Sequence, residues 1–211
     1  MANRGFDTCF FEQYAQISLS VLLGSEFDCL VNRDRPDLQS PDGKSIGIEV
    51  TRAMEESKSA ELALLKDVAG ITKGECLHDY TYGLPEGKCI GLKEFSYWSM
   101  ALPMRRILES KVSKVGNGFY GHYAKMGLFV FSHENLDAPE AIKAMNYTIS
   151  LQKYQDLRYN RLYIADVDDL FVCNLDDGLK EDSRLIRYRI TQQQRQTFYQ
   201  EAVQRVNQFG L

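Results

Sequence analysis

The sequence predicts a single α/β (α+β) domain with a mixed central sheet flanked by helices, and three observations support this. Segments with apolar residues at helical spacing alternate with short strand-like runs along the chain. One run, Met126–Phe131, is continuously apolar, which is typical of a strand covered on both faces of a sheet. The Ser-Pro-Asp-Gly turn at residues 40–43 lies between two other runs and predicts a hairpin.

The first half of the chain is predicted to form a helix, a short strand, a hairpin and a second helix. Gly24 is expected to end the first helix. The expected ranges are Phe10–Leu22, Phe27–Val31, Asp37–Gln39 with Ser45–Thr51, and Glu55–Val68. Residues 72–98 are rich in glycine and show little periodicity, so they are interpreted as an inserted loop region.

The second half is predicted to form a helix, a buried strand, a helix, three strands and a last helix. Pro103 is compatible with the first turn of a helix, where its missing N–H costs nothing. The expected ranges are Pro103–Gly116, Lys125–Ser132, Ala138–Lys153, Leu162–Ala165, Leu170–Cys173, Leu185–Ile190 and Thr191–Phe209. With neither a repeat nor a long linker, residues 1–211 are expected to be one domain.

Composition excludes several classes of protein. Hydrophobic residues make up 44% and charged residues 26%, as in ordinary globular proteins. No apolar run approaches the roughly 20 residues of a membrane helix, and residues 1–7 lack a secretory pattern, so a cytoplasmic protein without a membrane partner is expected. The net charge of −4 argues against binding nucleic acid by bulk charge alone, although it allows a local basic groove.

The most informative residues are two carboxylates in the predicted hairpin. Asp37 follows Pro36 at the start of one strand, and Glu49 lies on the other strand, on the same face as Thr51. The paired strands bring the two carboxylates together. With the Val50 carbonyl they would form a hard oxygen site suited to Mg²⁺ or Mn²⁺. A cation there could bind a phosphate oxygen and activate water for phosphodiester hydrolysis.

At these residues the sequence resembles the PD-(D/E)xK, or restriction-endonuclease-like, superfamily. That pattern places Pro-Asp and (Asp/Glu)-x-Lys on a hairpin between helices. Here Pro36-Asp37 is followed, after eleven residues, by Glu49-Val50-Thr51. The resemblance covers roughly residues 8–132 and implies a restriction-endonuclease-like core. Thr51 replaces the expected lysine, and a neutral hydroxyl cannot supply its charge.

A displaced lysine is expected on the third predicted helix. At about 100° per residue, four apolar side chains lie within about 60° of Lys111, so a charged residue sits in the middle of the apolar face. Some members of the superfamily are similar in carrying the catalytic lysine on the helix after the motif strand. Lys114, at the edge of the same face, is the second candidate. The alternative is that Lys111 extends its ammonium past its neighbours to solvent.

Other acidic residues have competing interpretations. The superfamily often has a carboxylate on its first helix, which points to Glu12, but an exposed polar face with Gln13 and Gln16 explains this residue equally well, and Glu26 is the substitute. Asp42 also follows a proline, although turn chemistry accounts for it better. The acidic turn at residues 166–169 is expected to be solvated.

The function expected from this resemblance is metal-dependent hydrolysis of nucleic acid, with DNA favoured over RNA. Asp37, Glu49, Lys111, Glu12 and Lys114 are the predicted catalytic residues. The competing interpretation is a non-catalytic binding or interaction protein on the same scaffold, because Thr51 departs from the pattern and the net charge is negative. The aromatic run at residues 119–123 could stack on bases or pack a loop. A homodimer stays open.

Overall fold

A computed structural model describes residues 8–53, 103–132, 136–176 and 184–209. Within these ranges the chain forms four α-helices and a short 3-10 helix. The α-helices are α1 (Thr8–Leu23), α2 (Pro103–Gly116), α3 (Ala138–Leu151) and α4 (Gln192–Phe209), and the 3-10 helix spans Ser25–Phe27. Asp137 caps α3 by accepting from the backbone N–H of Glu140, whose side chain accepts from Asp137 N–H in return.

Seven strands form one mixed sheet whose spatial order follows the chain order. They are β1 (Val31–Asn32), β2 (Leu38–Gln39), β3 (Ile46–Ala53), β4 (Lys125–Ser132), β5 (Arg161–Ala165), β6 (Asp169–Asn174) and β7 (Leu185–Arg189). The three central strands β3, β4 and β5 are parallel, and the pairs on both sides of them are antiparallel.

Helices cover both faces of the sheet, which confirms the predicted α/β class with a mixed central sheet. One core contains Phe10 of α1 and Phe198 of α4 with Ile48 and Val50 of β3. The core on the opposite face contains residues of α2 and α3 together with Ala53 of β3. Because both faces are covered, β4 is buried from Met126 to its end, as its continuous apolar run predicts.

The expected strand Phe27–Val31 is wrong. Gly24 has a φ of 122°, and the chain then turns through the 3-10 helix before β1 begins at Val31. The side-chain amide of Gln16 donates to the Leu30 carbonyl at 2.6 Å and lies within 3.5 Å of the Phe27 carbonyl. A helix side chain therefore takes acceptors that a sheet ladder would have used.

The remaining elements agree with the predictions within two residues at either end, apart from those outside the described residues. The expected helix Glu55–Val68 and the loop region 72–98 both lie outside them. Among the described helices, none combines the length and apolar character required to cross a lipid bilayer.

Candidate active site

Asp37 lies where β2, the strand paired with β3, is too short to run along the whole of β3. The Ser40 N–H donates to the Ile46 carbonyl at 2.8 Å, so alternate residues of β3 direct their backbone groups towards β2. Val50 is one of them, but β2 does not reach it. Asp37 Oδ2 instead accepts from the Val50 N–H at 2.7 Å. The Val50 carbonyl is directed to the same edge by the same alternation.

Glu49 extends to the opposite side of β3 from Ile48 and Val50, towards helix α2. There its Oε1 meets Lys111 Nζ at 2.5 Å. The side chains of Lys111 and Glu49 are only 14% and 9% exposed, so the ion pair is largely withdrawn from water. The placement of Lys111 on the apolar face of α2 is therefore observed, and its ammonium does not extend to solvent. Its catalytic role stays a prediction.

The negative charge around Asp37 exceeds what its partners offset. Burial, followed by the neighbouring Glu49 and Glu12 carboxylates, raises the pKa of Asp37 to about 7, against the opposing effects of the Val50 N–H and Lys111. A carboxyl group in such surroundings keeps its proton to a higher pH, and a cation close to it would favour its ionised form. Perturbed acids of this kind are concentrated at functional sites.

Glu12 belongs to this group, and the exposed polar face expected for α1 is wrong. Glu12, Gln13 and Gln16 are all at most 7% exposed, because the 3-10 turn, β1 and α4 pack around the helix. Glu12 Oε2 accepts a short hydrogen bond from Asn32 Nδ2. The substitute candidate, Glu26, instead pairs with Lys125 at 3.0 Å on an exposed surface.

Lys114 lies outside the Glu49 pair. It is exposed, and its Nζ lies 5.3 Å from the centre of the Phe119 ring. The guanidinium of Arg35 lies 4.9 Å from the same ring. Lys114 is therefore placed at a basic and aromatic surface, and its predicted catalytic role stays untested.

Two tyrosines behind the pair were missed by the sequence argument. The Tyr120 hydroxyl is buried, and no partner within the described ranges meets it at hydrogen-bonding geometry. Burial and then the nearby Glu49 carboxylate raise the pKa of Tyr120. The Tyr159 hydroxyl donates to the Lys111 carbonyl at 3.4 Å. Their spacing in the sequence gives no signal, because Tyr159 comes from a loop 48 residues after Lys111.

The rival aspartates have structural partners. Asp42 Oδ1 accepts from Ser40 Oγ at 2.5 Å and from the Lys44 N–H at 2.9 Å, which is turn chemistry. The acidic turn after β5, which was expected to be solvated, is solvated only in part, since the Asp168 side chain is 43% exposed. Asp166 and Asp169 are 8% and 3% exposed.

The residues around Asp37 fit a hard divalent cation in number and type. Mg²⁺ usually takes one or two protein carboxylates and completes its shell with water and phosphate oxygens. Asp37 and Glu49 supply two carboxylates, and the Val50 carbonyl is directed to the same edge. Burial and then the charge of Glu49 raise the pKa of Asp37, and a cation would oppose both effects by favouring the ionised carboxylate. Among the described residues, no group of three or more ligating side chains is present, so these residues could not enclose a cation by themselves.

Comparisons with known proteins identify no family for this chain. Protein-family models, curated proteins and solved structures gave no significant match to the chain.

Proposed function

We propose that the chain is a metal-dependent nuclease on a restriction-endonuclease-like core, hydrolysing phosphodiester bonds of nucleic acid, with DNA as the favoured substrate. One observation carries the proposal. Lys111 reaches from α2 into the edge where Glu49 and Asp37 meet, and so supplies a cation that Thr51 cannot. The Lys111–Glu49 ion pair and the electrostatic effect of Glu49 on Asp37 support this grouping of two carboxylates and an ammonium.

Each side chain has a distinct role in this proposal. Asp37 and Glu49, with the Val50 carbonyl, would hold Mg²⁺ or Mn²⁺, which supplies charge stabilisation at the phosphate and lowers the pKa of water. Lys111, held by Glu49, would lie beside the reacting phosphate and stabilise the negative charge that develops there. Glu12 adds negative charge next to Asp37, and Asn32 holds its carboxylate in place.

The experiment compares cleavage of labelled plasmid and oligonucleotides by wild type, Asp37→Ala and Glu49→Ala with Mg²⁺, with Mn²⁺ and with chelator. The proposal expects metal-dependent cleavage that both substitutions reduce at least a hundredfold. Asp42→Ala is the matched control, since Asp42 also follows a proline but lies in the turn. Equal residual cleavage in wild type and in both site variants would refute the proposal.

A second candidate is a non-catalytic binding protein on the same scaffold. Thr51 favours it, because the motif strand itself carries no cation next to Glu49. The Lys111–Glu49 pair is then a buried structural ion pair, a kind that often contributes little net stability. Calorimetric titration with Mn²⁺ separates the two, since absence of binding at millimolar metal favours the second candidate.

A further inference from the structure

An exposed aromatic ring lies between two cations at the end of α2. Phe119 is 45% exposed, although phenylalanine side chains are usually buried in the protein core. The Arg35 guanidinium and the Lys114 ammonium lie 4.9 and 5.3 Å from its ring centre. These three side chains are called the Phe119 surface below. Arg35 Nε also pairs with Asp34 at 3.2 Å, and both of those side chains are exposed.

The backbone fixes the position of this ring. Gly118, with a φ of 73°, ends α2. Its N–H donates to the Val115 carbonyl at 3.0 Å, and the Phe119 N–H donates to the Lys114 carbonyl at 3.1 Å. This pair of bonds is the Schellman arrangement, which holds the residue after the glycine against the last helical turn. The ring packs edge-on against buried Tyr120, with centroids 5.2 Å apart.

The Phe119 surface adjoins the candidate active site through both of its cations. Arg35 is two residues before Asp37, and Lys114 is three residues, about one helical turn, after Lys111. Arg35 is also the one non-glycine residue in the described ranges with a positive φ, at 65°. This conformation is unfavourable for an arginine, and residues held in it are concentrated at functional sites.

We infer that the Phe119 surface binds an unpaired nucleotide of a nucleic-acid strand, with the base taking the place of a cation on the face of Phe119 and the flanking phosphates bound by Arg35 and Lys114. The inference rests on the proposed function for the identity of the substrate. A base inside a duplex is already stacked on both sides, and a blunt duplex offers a free base face only at its two ends, so a strand of unpaired bases offers the ring many more faces. Aromatic rings flanked by cations are the means by which proteins hold single strands without reading their sequence. The substrate class is therefore a single strand or a frayed or overhanging end.

The test measures binding of fluorescently labelled oligonucleotides by anisotropy, with chelator present so that no cleavage occurs. The probes are a single strand, a blunt duplex and a duplex with an overhang, each as DNA and as RNA. Wild type should bind the single strand at least tenfold more tightly than the blunt duplex. Phe119→Ala should weaken single-strand binding by about tenfold, the scale of one lost base stack. Duplex binding should change less than twofold.

Matched variants separate stacking from charge. Phe119→Leu keeps apolar bulk without an aromatic face and should behave like Phe119→Ala, whereas Phe119→Trp should retain binding. Tyr154→Ala removes another exposed aromatic with a lysine beside it and should change nothing. Arg35→Asn introduces a residue that tolerates a positive φ. This variant and Lys114→Gln should each reduce the slope of the logarithm of the binding constant against the logarithm of salt concentration by about 0.7.

The outcomes decide the inference independently of catalysis. Equal affinity for single strand and blunt duplex, equal losses on both probes in Phe119→Ala, or no binding at all would overturn it. If wild type binds the single strand as expected but cleaves nothing with metal, the proposed nuclease function fails and the inference stands. The DNA and RNA arms identify which polymer supplies the strand.

Discussion

Two groups of carboxylates, each at least partly withdrawn from water, differ in the donors that meet them. One comprises Asp37, Glu49 and Glu12 around β3, and the other comprises the three aspartates of the turn after β5. In the turn, Asp166 accepts from three backbone N–H groups, those of Leu136, Asp168 and Asp169, at 2.7 to 2.9 Å. Arginines at 2.6 Å neutralise the other two, Arg195 at Asp168 and Arg187 at Asp169.

Around β3, Asp37 is met by fewer backbone N–H groups than Asp166 is in the turn. Lys111 pairs with Glu49, a single N–H donates to Asp37, and Glu12 has the neutral amide of Asn32. Burial raises the pKa of both Asp37 and Asp166, yet three N–H groups oppose the rise at Asp166. Asp166 therefore has the donors of a structural turn, although Oδ1 of Asp169 beside it is buried with no partner among the described residues, whereas Asp37 has a single backbone donor.

The largest expected effect is on the free energy of unfolding, from a substitution that disrupts the turn after β5 and leaves the candidate site intact. Asp166→Ala leaves three backbone N–H groups without their acceptor, and each buried unsatisfied donor costs about 1–3 kcal/mol. We expect the free energy of unfolding, measured by urea denaturation, to fall by about 3 kcal/mol or more. Asp166→Asn keeps one oxygen acceptor and should lose less. A loss below about 1 kcal/mol in the alanine variant would contradict a structural role for this turn.

A smaller effect, of opposite sign, is expected at Asp37. Its folded pKa of about 7 lies above the usual value of 3.8, so an ionised Asp37 opposes folding. The cost is absent below about pH 4, grows between about pH 4 and 7, and is complete above. Three pKa units correspond to about 4 kcal/mol, and partial exposure to solvent reduces this to about 1–3 kcal/mol. Asp37→Asn, which can still accept from Val50, should therefore be more stable than wild type at pH 8 and equally stable at pH 4.

Asp42→Asn is the matched control for this pH dependence. Hydrogen bonds from Ser40 and Ser45 hold the pKa of Asp42 below its usual range. Its ionised form therefore favours folding above about pH 4, and the benefit is lost as the pH falls towards its folded pKa. Thermal denaturation across this range should show Asp42→Asn less stable than wild type at neutral pH. If Asp37→Asn and Asp42→Asn changed the stability in the same direction at neutral pH, the contrast between these two aspartates, which both follow a proline, would be contradicted.

Much of the fold could be predicted because the sequence carries local signals for it. The apolar run of β4 and the Ser-Pro-Asp-Gly turn before β3 are signals carried by residues adjacent in the sequence, and both elements lie where expected. Lys111 could be found because a lysine in the middle of an apolar helix face requires a partner. Its partner, 62 residues earlier in the chain, could be named only because the motif strand already indicated Glu49.

The errors arise where packing overrides local pattern. In the sequence, the polar residues of α1 look like a solvated helix face. In the structure, the Gln16 side chain instead donates to carbonyls of the following turn and accepts from Arg205 of α4, 189 residues away. A helical wheel cannot show that polar groups are buried against distant backbone. The same limit hid Tyr120, which is part of an aromatic run that could equally have packed a loop.

The smallest expected effect separates the two lysines of α2. Lys111→Met keeps most of the apolar stem and removes the charge that meets Glu49 and the developing charge of the reaction. Cleavage at saturating substrate should fall at least tenfold, which corresponds to about 1.4 kcal/mol of transition-state stabilisation. Lys114→Met should leave that rate within threefold and instead raise the substrate concentration needed, because Lys114 lies at the Phe119 ring and away from the Glu49 pair.

Lys111→Arg tests whether a cation alone suffices, and thermal denaturation of each variant checks that the fold is retained. If Lys111→Met cleaves normally while Asp37→Ala does not, the lysine is a structural partner of Glu49 and not a catalytic residue, and Arg52 does not replace it, because its guanidinium lies over the Phe11 ring on the other face of β3.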